Sequence, residues 1–229
     1  MIIYLIRHAR QNSTLCNVNV PLSEEGEHQA RLLGERMRNY PIDAIYTSDL
    51  IRAVETARIA FADREELLRE RVERTALQEF DFGALTGQKD EIVKSFYRDY
   101  YLQQAKRGKL LEDNHQETVI KRQQNISDMA YPEGEDGEEV FRRVLPVLQE
   151  MITSGKKQIA VVTHGGVIRV ILAALFGGDV KTRLLFGTSL ENCGITKIHY
   201  DEDKKLFFLD SFNDAAHLES APELFRKNW

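Results

Sequence analysis

Apolar residues fall along this chain in two rhythms. Short unbroken runs at residues 2–6 and 159–163 end abruptly in charged or small residues, the pattern of strands buried on both faces. Between them lie stretches at helical spacing. Ala30, Leu33 and Met37 form a stripe over 24–38, with Ser23 as N-cap and Glu24 and Glu25 in the first turn. Val140, Val144, Val147, Leu148 and Met151 form another over 137–154, with a bend expected at Pro146 and a stop at Gly155. A short strand over 42–46 leads to Ser48, read as the N-cap of a helix ending near Ala60. Residues 167–176 predict an apolar helix, and 195–200 with 206–209 predict a closing hairpin. Strands alternating with helices predict an α/β fold, a three-layer α/β/α arrangement around a mostly parallel sheet, and no internal repeat is visible.

One stretch breaks the rhythm. Residues 89–132 are mixed in charge and hold four of the chain's eight tyrosines, Tyr97, Tyr100, Tyr101 and Tyr131. A connection this long with helical patches reads as a lid or binding insertion within one domain spanning 1–229. A solvated helical hairpin without a role is the plainer alternative.

Composition narrows the class. The 229 residues, 42% hydrophobic and 29% charged, suit a globular protein with a sizeable core. The first apolar run has no basic stretch before it and is too short for a signal peptide, and the later run at 170–176 cannot span a bilayer. A cytoplasmic protein without a membrane partner is therefore expected, and two glycosylation sequons, Asn12-Ser13-Thr14 and Asn125-Ile126-Ser127, are read as accidental. A net charge of −5 argues against nucleic acid as partner. Cys16 and Cys193 lie far apart, outside any CxxC pair or metal-ligand spacing, and read as buried free thiols. Oligomeric state leaves no mark in the sequence.

The candidate chemistry sits at strand ends. The run 2–6 ends in Arg7-His8-Ala9, the run 159–163 ends in His164-Gly165-Gly166, and the strand at 42–46 leads to Arg52 in a helix's first turn. In an open α/β sheet the carboxyl ends of the strands line one crevice, where ligands bind. Two arginines, two histidines and the helix N-termini after Ser48 and Gly165 suit a phosphoryl group, which the glycines let approach closely. Taken singly, these are a chance dipeptide, a satisfied histidine and a surface arginine; their joint placement carries the reading. Neither a GxGxxG turn after a strand nor a GxxxxGK[ST] loop is present.

Seven words, LIRHA, PLSEEGEHQA, YTSDLIRAVETA, LQEFDFGALTG, YPEGEDGEEVFRR, VVTHGGVIR and FNDAAHL, cover most of the chain outside 89–132. In this order they resemble the histidine phosphatase superfamily, with its phosphoglycerate mutase-like fold. The resemblance implies that His8 is the nucleophile, transiently phosphorylated. It also implies that Arg7, Arg52 and His164 clamp the phosphoryl oxygens, with Gly165 and Thr14 as further phosphate contacts and Glu79 as proton donor. Chemistry agrees with these roles. A neutral imidazole has a lone pair near neutral pH, arginines keep their charge, and a protonated carboxyl can donate to a leaving oxygen. The resemblance implies no metal and no cofactor.

Departures from the family pattern are Ala9 for the usual Gly, Ala84-Leu85 where Trp is frequent, and Thr14 for a common Asn. Gln11 and Asn12 are candidates to replace that Asn. Of the remaining histidines, His28 and His115 read as exposed, His199 as core and His217 as structural at the sheet edge.

The function implied is a metal-independent phosphatase acting on a small phosphorylated metabolite, a phosphomonoester. Two alternatives stand beside it: a cofactor-dependent phosphoglycerate mutase-type phosphotransferase and a non-catalytic phosphate-binding module. Mutases of the superfamily resemble one another in a basic insertion with adjacent arginines. Lys106-Arg107 and Lys121-Arg122 are no clear copy of it, which favours the phosphatase. Whether Tyr97, Tyr100 and Tyr101 contact substrate is open at this stage, although aromatics suit stacking on a sugar or a nucleoside.

Overall fold

The computed structural model describes residues 1–109, 126–187 and 189–226, with the side chains of 107–109 excepted. His115, Lys121-Arg122 and Asn125 lie outside the described residues, and so does most of the expected lid beyond its first helix.

Strands β1 (Ile2–Arg7), β2 (Ala44–Thr47), β3 (Val72–Glu73), β4 (Gln158–Thr163), β5 (Ile195–Asp201) and β6 (Leu206–Asp214) form one sheet in the order β3-β2-β4-β1-β5-β6. The first four run parallel, and β5 and β6 close the sheet as an antiparallel hairpin. The unbroken apolar runs have the reason expected of them. Ile3, Leu5, Ile159 and Val161 enter one core, while Tyr4, Ile6, Ala160 and Val162 enter the other.

Helices α1 (Glu24–Met37) and α2 (Ile51–Ala60) cover one face, packed through Ala30, Leu33, Met37, Ala53 and Ala57. The other face is covered by α5 (Gly137–Thr153) and α6 (Gly165–Leu172). The short α3 (Glu65–Arg69) and the helix α4 (Asp90–Lys109) of the insertion complete the set. This is the expected α/β fold with a mostly parallel sheet.

Local chemistry explains the helix starts. Ser23 accepts from the Gly26 N–H, and Asp136 with Glu139 forms a reciprocal capping box at the head of α5. Pro146 lies inside α5, and Gly155 follows it at φ +75. α6 starts two residues earlier than its apolar pattern predicts and passes at Ala173 into a wider π turn.

Three readings need correction. Ser48 does not cap α2: the helix begins at Ile51, whose N–H donates to Asn19 Oδ1 at 2.9 Å, and Ser48 is engaged elsewhere. His199 is only half-buried, stacked on Phe208 of β6 with ring centroids 5.7 Å apart. Cys16 is half-buried, whereas Cys193 is fully so.

The ends of the insertion are tied to the main core. Val93, Tyr100, Ile126, Met129 and Tyr131 are buried there, and Tyr101 is exposed. Arg183, itself buried, pairs with Asp128 at 3.0 Å, donates to the Met129 carbonyl and stacks over Phe80 at 4.5 Å.

No described helix is long and apolar enough to cross a membrane.

Candidate active site

Backbone register builds the site. Arg7 pairs with Thr163 across β1 and β4, so the residues that follow, His8 and His164, emerge side by side. The His8 N–H donates to the Thr163 carbonyl at 2.8 Å, and the Ser48 N–H to the Val162 carbonyl at 3.1 Å. The two imidazole rings end 4.9 Å apart.

The His8 tautomer follows from its neighbours. Nδ1 lies 2.7 Å from the Ala9 carbonyl, which can only accept, so Nδ1 carries the proton and Nε2 keeps its lone pair. Arg52 directs its Nε–H at that Nε2 from 3.3 Å. The same guanidinium donates to the Val18 carbonyl at 3.1 Å and to Asn17 Oδ1 at 2.8 Å. Burial, followed by the charges of Arg52 and Arg7, holds the His8 pKa well below the ordinary imidazole value. His164 is held down by burial and then by Arg52. Its Nε2 lies 2.7 Å from Ser48 Oγ, and its Nδ1 is buried without a hydrogen-bond partner among the described residues.

These shifts have a sign. The folded protein keeps His8 and His164 neutral, and burial pushes His217 down to about 4. In the unfolded chain the same imidazoles take protons below about pH 6.5. Their contribution is complete above that pH and is lost as pH falls. The urea midpoint, followed by circular dichroism, is expected to drop steadily from pH 7 to pH 5, and an unchanged midpoint would show that these groups protonate within the fold.

Arg7 and Glu79 complete the cluster against α6. Arg7 donates to the Leu190 carbonyl, and its Nε–H is buried without an acceptor among the described residues. Burial, then nearby Arg226, pushes its pKa below the usual guanidinium value, the mark of a cation that the chain itself leaves undercompensated. Glu79 Oε2 accepts from the Gly166 N–H at 3.2 Å, at the positive end of α6, and Oε1 accepts from the Phe80 N–H at 3.1 Å. A Cβ at 166 would fall 2.3 Å from Glu79 Oε1 and 2.6 Å from the Phe80 ring, so any side chain there would displace both.

Arg143 of α5 holds the backbone on which Glu79 is mounted. It donates to the carbonyls of Ala76 at 2.6 Å, Gln78 at 2.9 Å and Glu79 at 3.1 Å while pairing with Glu135 at 2.8 Å. Tyr97 of the insertion packs partly buried against the main core, its hydroxyl 2.6 Å from that of Tyr131.

The structure thus brings Arg7, His8, Arg52, Glu79, His164 and Gly165 to one place. Thr14 is exposed, and Asn17 is the residue of its loop that bonds Arg52. Gln11 bonds the loop's own Ser13 and Leu15 carbonyls. Sequence reasoning missed Asn17, Ser48, Arg143 and Asn192, the last of which donates to the His8 carbonyl at 2.8 Å. Asn17 did leave a signal, since asparagine is enriched at positive φ and this residue sits at φ 49.

Comparison with known proteins agrees with the geometry. The family model of the histidine phosphatase superfamily (branch 1) matches residues 3–120 and 105–215. The chain is 28% identical to the uncharacterized phosphatase PhoE of Bacillus subtilis, over 93% of this chain and 95% of that protein. It is 27% identical to a 2,3-bisphosphoglycerate-dependent phosphoglycerate mutase of Chlamydia felis, over 68% and 73%. Its fold is that of a mycobacterial glucosyl-3-phosphoglycerate phosphatase, at TM-score 0.72 and 22% identity, covering 93% of this chain and 98% of that one. Two histidines set level by strand register, in a chain matched by the family model almost from end to end, have one reading: the protein belongs to the histidine phosphatase superfamily.

Proposed function

We propose that the protein is a phosphatase that hydrolyses small phosphomonoesters through a phosphohistidine at His8. One observation carries this: His8 Nε2, stripped of its proton by the Nδ1–H bond to Ala9, faces the Arg52 guanidinium inside a cluster of buried cations. Nε2 attacks phosphorus and the bond from phosphorus to the ester oxygen breaks. Glu79 hands its proton to the departing alkoxide. Water then attacks the phosphohistidine, Glu79 takes the water's proton, and inorganic phosphate leaves.

Arg7 and Arg52 would neutralise charge on the transferring oxygens. With the Ser48 hydroxyl donating to His164 Nε2, an Nδ1–H remains for another oxygen. α4 and residues 126–132 would serve as a cover, in which Tyr97 bonds Tyr131, Tyr100 bonds the Ser127 carbonyl and Tyr101 is exposed.

Similarity to mutases keeps one second reading alive, in which the phosphoryl group returns to a phosphorylated acid. Against it, the basic pairs Lys106-Arg107 and Lys121-Arg122 are no clear copy of the adjacent arginines that mutases of the superfamily share.

Rapid mixing with a radiolabelled aryl phosphate and an alkaline quench tests the proposal. The expected result is one base-stable, acid-labile phosphoryl group per chain, mapped to His8, formed in chelator and chased to inorganic phosphate by water alone. Label that leaves only when a phosphoglycerate acceptor is added would establish the mutase, and absence of label would overturn both readings.

A further inference from the structure

Glu79 is lightly held at its tip and heavily held at its base. Among the described residues its carboxyl accepts only from the Gly166 and Phe80 N–H groups, and in the reaction above it must turn first to the leaving oxygen and then to water. A donor of this kind has to stand within about 0.5 Å of its working position. That precision must come from the backbone beneath it.

The backbone is anchored accordingly. Residues 78–82 belong to no helix or strand, yet the six consecutive carbonyls from 76 to 81 each accept a hydrogen bond from another part of the chain. Thr163 Oγ1 takes that of Leu77 at 2.7 Å, Asn17 Nδ2 that of Phe80 at 2.9 Å, and the Glu135 N–H that of Asp81 at 2.9 Å. The other three all go to Arg143.

Arg143 has nothing left to give. Its Nη1 serves the Ala76 and Gln78 carbonyls, its Nη2 serves the Glu79 carbonyl and Glu135 Oε2, and its Nε serves Glu135 Oε1, so all five N–H donors are spent. The two-pronged pairing with Glu135 fixes the plane of the guanidinium, and Glu135 Oε2 accepts from the Asp81 N–H as well, at 2.9 Å. Burial works to raise the Glu135 pKa, but Arg143 and the Asp81 N–H hold it below the usual carboxylate value, so the pair is ionic at neutral pH. The capping box at Asp136 sets the start of α5 and with it the height of Arg143.

We propose that Arg143, held in plane by Glu135, is a positioning residue for the proton donor and sets where Glu79 stands between α6 and the leaving oxygen. With no donor to spare, it works through Glu79 and not on the substrate. This assignment rests on the phosphatase reading above.

The test is a double-mutant cycle of Arg143→Lys and Glu79→Gln, read with phenyl phosphate, whose phenolate leaves poorly, and p-nitrophenyl phosphate, whose phenolate leaves unaided. Lysine keeps the charge but brings three donors on a flexible stem, too few for three carbonyls and both carboxylate oxygens. A misplacement of about 1 Å costs on the order of 10²-fold, so Arg143→Lys is expected to lower kcat on phenyl phosphate by about that factor, with KM nearly unchanged. The same substitution made in Glu79→Gln should cost less than about threefold, and so should its effect on the first step with p-nitrophenyl phosphate. A misfolded fraction lowers both backgrounds equally and cancels in the ratio of the two losses. Glu135→Gln, which leaves Arg143 in place but loosens its plane, should repeat the pattern at smaller size and serves if Arg143→Lys does not fold. Equal losses in the two backgrounds, or full activity in Arg143→Lys, would overturn the assignment and leave hydrolysis through His8 intact. Wild-type cleavage of p-nitrophenyl phosphate alone would end it too, since no group would then protonate the leaving oxygen. A wild type that cleaves neither compound would remove the phosphatase reading as well.

Discussion

Replacing His8 with alanine is expected to abolish phosphomonoester hydrolysis, with kcat falling on the order of 10⁶-fold, the scale seen when a covalent nucleophile is removed. No neighbour can take its place. His164 has its Nε2 against Ser48, and the arginines around it are permanent cations. The fold should survive, because among the described residues the His8 ring bonds only its own neighbour Ala9 and Arg52, and Arg52 keeps Asn17 and Val18. Folded His8→Ala should therefore still bind inorganic phosphate through Arg7, Arg52 and His164. Turnover within tenfold of wild type would remove His8 from the reaction, and a wild type that binds phosphate without ever turning over would be the binding module.

The parts of this site that could be read in the sequence are those generated by burial. A strand covered on both faces has no alternation, so Ile2–Arg7 and Gln158–Thr163 stand out, and the first polar residues after them mark the edge where the candidate site forms. What the pattern could not supply was register. That His8 and His164 emerge level with each other depends on Arg7 pairing with Thr163, a contact spanning most of the chain.

Other residues were misread because one residue type serves two purposes. Serine after a strand and before a helix fits an N-cap, yet Ser48 spends its hydroxyl on His164, and the helix start is satisfied by Asn19. Thr14 has the spacing of a familiar asparagine, but the loop carries Asn17 to Arg52 instead. Arg143 and Asn192 act through backbone carbonyls, and such contacts leave no local signature. Their partners are identified only once residues 189–192 and the turn before Glu79 take their places in the fold.

Glu79→Gln should separate proton donation from mere support. Glutamine keeps the shape and one acceptor for the Gly166 or Phe80 N–H, so the turn held by Arg143 is preserved. It has no acidic proton to give. For an alkyl phosphate, whose alkoxide is a poor leaving group, kcat should fall about 10²–10⁴-fold. For p-nitrophenyl phosphate, whose phenolate leaves unaided, the first step should be nearly untouched, and labelled phosphohistidine should accumulate because the second step lacks its base. A burst of nitrophenol followed by slow turnover is the expected trace. Equal losses on both substrates without a burst would make Glu79 a structural carboxylate that only caps the head of α6, and the proton donor would then have to be sought elsewhere around the site.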